Sequence, residues 1–374
     1  MSWEKVNQGL ETLKIDSVVI SPNDSNFVLA KGTEGGLFKT DNGGKNWTSV
    51  MDENTKVTAV AFWPNNDNQI ILGDNKGNLY LSEDKGENLQ LMGNSPDNNP
   101  INALASSPNF ANDKMIVIGT DEGIFKSVDI GKSFVSISQE NLDNNIRDIV
   151  IESGESNSLK IFVSTADMGV CQSEDEGENW TKINQGLTKD VQADEFKVPH
   201  FYELGISPTF SQDGVIFVGG FNGLFKSQNS GETWQELETL SGGIVANLGI
   251  SPHYKNHSTL GVVTYVGNAY LSSDGGNTWK PINKGLEPPR FTKTFNFTGQ
   301  DPRRFFDVAF SPNYESDGNI FATVLWRNFL RSTNKGENWQ IVNLPKGQSL
   351  RGLKIVPSPN FAQDKTVDVA TMYG

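Results

Sequence analysis

The sequence predicts an all-β fold of repeated four-stranded antiparallel units, and three observations carry that prediction. A short run of hydroxyl, acid or amide, glycine and aromatic recurs seven times along the 374 residues: TDNGGKNW from Thr40, SEDKGENL from Ser82, SVDIGKSF from Ser127, SEDEGENW from Ser173, SQNSGETW from Ser227, SSDGGNTW from Ser272 and STNKGENW from Ser332. Subtracting successive starts gives intervals of 42, 45, 46, 54, 45 and 60 residues, the length of one four-stranded propeller blade. Each copy follows a short alternating strand, such as GLFK before Thr40, GIFK before Ser127 and NFLR before Ser332, with period-two patterning.

Two further strands lie upstream of each of these, joined at a Ser-Pro corner, as in VVISPNDSNFVLAKGT, ALASSPNFANDKMIVIGT, LGISPTFSQDGVIFVGG and VAFSPNYESDGNIFATV. Proline ends the first strand because it has no N–H to give to a ladder. The unit therefore reads strand A, Ser-Pro turn, strand B, short polar loop, strand C, motif, strand D. Within the motif, the third position carries Asp84, Asp129, Asp175 and Asp274, or Asn42, Asn229 and Asn334, side chains that accept backbone N–H bonds inside a tight turn. The glycine, for example Gly231 or Gly336, supplies a backbone conformation that other residues resist. The aromatic (Trp47, Phe134, Trp180, Trp234, Trp279 or Trp339, with Leu89 as the aliphatic substitute) is expected to bury its ring between neighbouring blades.

The ends extend the pattern. WEKVNQGL at Trp3 matches WTKINQGL from Trp180 and WKPINKGL from Trp279, so the chain opens on a strand D. It closes on LRGLKIVPSPNFAQDKTVDVATMYG, a strand A, a Ser-Pro turn and a strand B. Strands A are expected near Val18, Val57, Ile101, Ile146, Tyr202, Ala246, Phe306 and Leu353. If the ring closes within one chain, residues 1–374 form a single β-propeller domain of eight blades, seven with motif repeats and one shared between the termini, which leaves no open sheet edge. The other reading is a piece excised from a longer array.

Composition narrows the partners. Asp and Glu outnumber Lys and Arg by 45 to 31, a formal charge of −14, which lacks the basic footprint of a nucleic-acid binder. The single cysteine, Cys171, forms no intramolecular disulfide and no cysteine-based zinc site. The three histidines, His200, His253 and His257, have no metal-ligand spacing, and no phosphate-cradling glycine loop precedes a helix. No cofactor or metal is expected. No apolar run reaches the length of a membrane-spanning helix, so membrane insertion is not expected, and the opening residues carry no signal-peptide pattern.

On these repeats the sequence resembles the Asp-box (BNR-repeat) propeller superfamily, whose motif is Ser-x-Asp-x-Gly-x-Thr-Trp. The resemblance covers nearly the whole chain. That superfamily includes sialidases, xyloglucan-cleaving glycoside hydrolases, sortilin-type receptor ectodomains and photosystem II assembly factors, and the resemblance implies that the box is a structural staple rather than an active site. It also implies an extracellular or periplasmic location.

Function must then reside in loops. By strand direction the motif turns and Ser-Pro turns share one face, and the B–C and D–A loops share the other. On that second face the early repeats offer Glu34, Asp74, Asp121, Glu122 and Asp167, whereas the later ones offer Phe221, Tyr265, Trp326 with Arg327, and Tyr373. The two longest intervals come from expanded D–A loops, the second of which holds Arg303 and Arg304 among several phenylalanines. Aromatic rings beside arginine suit sugar stacking or the anchoring of a partner's side chains. The candidate binding residues are Phe221, Tyr265, Trp326, Arg327, Arg303, Arg304, Arg351 and Tyr202.

A glycosidase would need two facing carboxylates roughly 5 to 10 Å apart, and Asp148, Glu203 and Asp307 on strands A are the residues that could supply them. Arg147, Arg304 and Arg351 begin three strands A as an arginine triad would, but the Arg-Ile-Pro signature of sialidases is missing. The sequence therefore favours a non-catalytic module that binds a protein segment or glycan outside the cell. The alternative is a glycoside hydrolase acting on a polysaccharide.

Overall fold

The computed structural model describes residues 6, 8–10, 14–63, 66–139, 145–153, 158–166, 168–187, 201–220, 223–237, 245–264, 269–282, 305–324, 328–343 and 352–371. Its strands form seven four-stranded antiparallel sheets and one two-stranded sheet, each four-stranded sheet running A-B-C-D in chain order. Strands A open blades 1 to 7 at Ile15–Ile20, Val57–Trp63, Ala103–Ser106, Ile146–Ser153, Phe201–Ile206, Val245–Ile250 and Phe305–Phe310.

The blade count differs from the expectation. Among the described residues seven propeller blades are present, not eight. The last strand A, Gly352–Pro357, pairs with Val367–Thr371, and no third strand joins that hairpin among the described residues. A blade needs four successive strands, and the last repeat brings a Ser-Pro hairpin of two. Residues 1–5, on which a shared blade would have drawn, lie outside the described residues.

The chain divides into two compact units. One comprises residues 50–242 and holds blades 2 to 5, in which strand A of each blade lies beside strand A of the next. The other comprises residues 1–49 and 243–374, where blades 6 and 7, the two-stranded sheet and blade 1 follow one another in the same way. Apolar clusters fill the space between neighbouring sheets. Phe162 and Val170 of blade 4 meet Leu204, Ile216, Val218 and Trp234 of blade 5, and Leu271 and Ile282 of blade 6 meet Val308, Ile320 and Trp339 of blade 7.

The motif turns explain their own composition. In all seven, the first hydroxyl accepts the N–H of the motif glycine, at 3.0 Å from Thr40 and at 2.7 to 2.8 Å from Ser82, Ser127, Ser173, Ser227, Ser272 and Ser332. The third residue accepts the N–H four positions on, as Asp175 does from Asn179 at 2.8 Å. The glycine is needed twice over: Gly231 has φ +91°, and a Cβ there would lie 2.3 Å from Ile183 Cδ1 of the preceding blade. Three motif tryptophans then bond back across the gap: Trp47 Nε1 donates to Val6 O and Trp180 Nε1 to Ile137 O, each at 2.7 Å, and Trp234 Nε1 donates to Ile183 O.

In blades 5, 6 and 7 the motif turn also docks on the Ser-Pro turn of its own blade, with Ser230 N–H on Gly214 O at 2.9 Å, Gly275 N–H on Ser258 O at 2.7 Å and Lys335 N–H on Gly318 O at 3.0 Å. The two kinds of turn therefore share one end of each sheet, and the B–C and D–A loops take the other.

Candidate functional site

The structure fixes the register of each B–C hairpin: Gly220 with Gly223 in blade 5, Val263 with Ala269 in blade 6 and Thr323 with Phe329 in blade 7. These hairpins carry Phe221, Tyr265 and Trp326 with Arg327. Those four residues, together with Arg303, Arg304, Arg351, Asp167 and Tyr373, lie outside the described residues. Tyr202 lies within strand A of blade 5, at the bulge between Phe201 and Glu203.

The acids of the early repeats divide into two kinds. Glu34 is exposed and pairs with Lys14 at 3.0 Å, and Asp121 is exposed and accepts Asn102 Nδ2 at 2.8 Å. Asp74, read from sequence as a rim acid, is instead fully buried. Its carboxylate accepts the N–H groups of Lys76 and Asn78, each at 2.8 Å, the Asn78 amide at 2.7 Å and the Tyr80 hydroxyl at 3.2 Å. Burial first and the Asp74 charge second raise the Tyr80 hydroxyl above its ordinary range. This acid closes the B–C loop of its blade and is not available to a ligand.

The strand A acids have a similar outcome. Asp148 Oδ2 accepts the N–H of Leu204 in the next blade at 3.0 Å, and its Oδ1 accepts the N–H of Ile149 at 2.9 Å. Asp307 Oδ2 accepts the N–H of Ile355 in the two-stranded sheet at 2.8 Å, with Lys354 Nζ 3.4 Å from its Oδ1. Burial pushes Asp148 up to about 6 against the two backbone donors, and it raises Asp307 against the pull of Lys354. Each carboxylate fastens its strand to the following sheet, which is the work of a buried, hydrogen-bonded acid. A hydrolytic pair would instead present its oxygens to a substrate. Arg147 opens strand A beside Asp148, and its Nε is buried without a hydrogen-bond partner among the described residues.

His253 and His257 lie in the Ser-Pro turn of blade 6, at the opposite end of the sheet from the B–C loops. A signal that sequence reading passed over is the fourth residue of this turn. It is aspartate in FAND, FSQD, YESD and FAQD, but histidine in YKNH.

No protein-family model matches the sequence, and no curated protein matches it. Solved structures do. A structure described as YCF48 bound to D1 peptide superposes with a TM-score of 0.55 at 16% identity, covering 87% of this chain and 93% of that one. The GH74 enzyme of Niastella koreensis gives 0.57 at 16% identity, over 94% of this chain and 69% of that one. The C-terminal WD40 domain of Sif2 gives 0.64 at 11% identity, over 99% and 95%. At these identities the likeness shows the fold, a β-propeller.

Proposed function

We propose that the chain is a non-catalytic propeller module of the Asp-box kind that recognises an extracellular protein segment, with a glycan as the second ligand class. The loops between strands B and C and between D and A carry the recognition. The observation that supports a binding role is the commitment of Asp148 and Asp307 to backbone N–H groups of the following sheets, which engages in structural bonds the carboxylates that glycoside hydrolysis would turn to a substrate. One of the similar propellers, YCF48, is bound to a peptide, which favours the protein segment over the glycan.

In this reading Tyr265, Trp326 and Arg327 on the hairpins of blades 6 and 7, with Arg303, Arg304 and Arg351, form the binding surface. The rings supply contact area at little entropic cost, and the guanidinium groups grip carboxylate or sulfate with two parallel bonds. Peptide and glycan arrays, run beside a hydrolysis assay on polysaccharides, identify the ligand. Trp326→Ala and, separately, Arg304→Ala are then expected to weaken binding more than tenfold, about 1.4 kcal/mol, with melting unchanged. Glu34→Ala is the control, since its carboxylate is exposed and paired with Lys14. Normal binding by both variants, or turnover of a polysaccharide, would overturn the proposal.

A further inference from the structure

Five Ser-Pro turns contain one helical turn: Phe110–Asp113, Phe210–Asp213, Tyr254–His257, Tyr314–Asp317 and Phe361–Asp364. In four of them the last residue is an aspartate with a fixed task. Its Oδ2 accepts the hydroxyl of the Ser-Pro serine, from Ser107 at 2.5 Å and from Ser207, Ser311 and Ser358 at 2.6 Å. Its Oδ1 accepts the backbone N–H two residues on, at 2.8 to 3.0 Å. Blade 6 places His257 there. An imidazole has no pair of acceptor oxygens for this task, and the ring turns to the next blade, with Nε2 3.3 Å from Glu315 Oε1.

A second departure from the repeat comes to the same place. The residue after the motif aromatic is Thr48, Gln90, Val135, Thr181, Gln235 or Gln340 elsewhere, but Lys280 in blade 6. The residue before the motif glycine of blade 7 is Lys335, which reaches over Tyr314 with Nζ 5.9 Å from the ring centroid. His257, Lys280 and Lys335 line one cavity of about 260 Å³, together with Tyr314, Ser273 and Glu337. Lys280 Nζ lies 3.7 Å from Glu337 Oε1, but both side chains are largely exposed, so that pair holds weakly. Two ammonium groups and an imidazole thus gather against Glu337 in the lining and Glu315 beside the imidazole, in a chain whose net charge is −14. No structural task of the repeat requires them there.

We infer that this cavity binds a tetrahedral oxyanion, phosphate or sulfate, free or carried by a larger ligand. Lys280 and Lys335 supply the charge, the Ser273 hydroxyl and the His257 ring supply hydrogen bonds, and the Tyr314 ring walls the space beside the anion. The volume exceeds what a lone oxyanion fills, so a ligand body has room. The site is at the turn end of blades 6 and 7, independent of the loop surface proposed above.

The test follows the imidazole resonances of the intact protein by NMR during titration with inorganic phosphate, inorganic sulfate and, in a third arm, phosphoserine. The His257 signal is identified by its loss in His257→Gln. A saturable shift of that signal is expected, weakened more than tenfold in the Lys280→Gln/Lys335→Gln double variant and unaltered in Lys85→Gln, which changes the corresponding motif position of blade 2. Tighter binding of phosphoserine than of phosphate identifies a carried oxyanion, and equal binding identifies a free one. His257→Asp restores the residue used by four other turns, so it is expected to melt no lower than the parent while losing the anion, read in this variant by titration calorimetry with the same anions. A shift that grows linearly with concentration, or that survives in the double variant, or anion binding retained in His257→Asp, would overturn the inference.

Discussion

Blade 7 and the two-stranded sheet that follows it begin alike and end differently. Both open with a strand A, a Ser-Pro corner and one helical turn, in which Ser311 donates to Asp317 and Ser358 donates to Asp364, each at 2.6 Å. Both continue into strand B in the same register, since Phe310 pairs with Ile320 as Pro357 pairs with Val367. The next residue of strand B is Phe321 in blade 7 and Asp368 in the hairpin. Phe321 is 1% exposed, crossed by Arg331 of strand C and packed against Phe361 with ring centroids 5.3 Å apart. Asp368 has a buried Oδ2 with no hydrogen-bond partner among the described residues. Burial first and the Asp364 charge second push its carboxyl up to about 6. Equal turn chemistry therefore does not make equal blades. Strand C covers this layer of the sheet in blade 7, and the hairpin has no counterpart to it among the described residues.

The largest effect that sharpens this comparison is Phe321→Ala. Removing a fully buried ring is expected to cost about 3–5 kcal/mol, read as a lower denaturant midpoint, while Asp368→Ala costs nothing or stabilises. Similar losses from both would mean that the two sheets are equally packed.

Asp368→Leu puts into the hairpin the residue that blade 1 has at the equivalent register, Leu29, which is 1% exposed. It is expected to stabilise the protein at pH 7 by about 1–3 kcal/mol, the upper bound being roughly two pKa units at 1.36 kcal/mol each. A variant less stable than the parent would show that the carboxylate has a partner worth keeping.

The pH dependence follows from the same carboxyl. Its folded value, about 6, stands above the ordinary aspartate value near 3.9, so between those limits the native state holds a proton that the unfolded chain has released. Stability from this group is complete below the ordinary value and is lost as pH rises to about 6. Asp148 and Asp307, also raised by burial, add to the slope. Urea midpoints at pH 4.5, 6 and 7.5 should fall with pH in the parent and fall less steeply in Asp368→Asn. Parallel slopes would remove Asp368 from the account.

The smallest expected difference is between Ser311→Ala and Ser358→Ala. Each leaves an aspartate oxygen without its hydroxyl donor, a loss of about 1–3 kcal/mol, and the two costs should agree closely because the two turns are built alike. A large gap between them would mean that the difference between the sheets begins at the turn and not at strand C.

Much of this protein was legible because its determinants are local. The motif hydroxyl, the acid and the glycine close their bonds within four residues of one another, as Ser272, Asp274 and Gly276 do, so their spacing identifies the turn in any context. The Ser-Pro corners and the strand starts near Val57, Ile146 and Phe306 were legible for the same reason. The repeat alone thus determined the all-β class, the four-stranded unit and the sharing of one sheet end by the two kinds of turn. Tertiary structure decided what depends on a neighbour's register. It made Asp148 and Asp307 fasteners between sheets, where composition allowed a catalytic pair. It turned Asp74 inward onto its own loop, set Gly231 against Ile183, and completed seven blades rather than eight among the described residues. It also brought His257, Lys280 and Lys335, 78 residues apart from first to last by subtraction, to a single cavity. Contacts of that kind join residues whose separation along the chain carries no pattern, because only the packing of one blade on the next brings them into range.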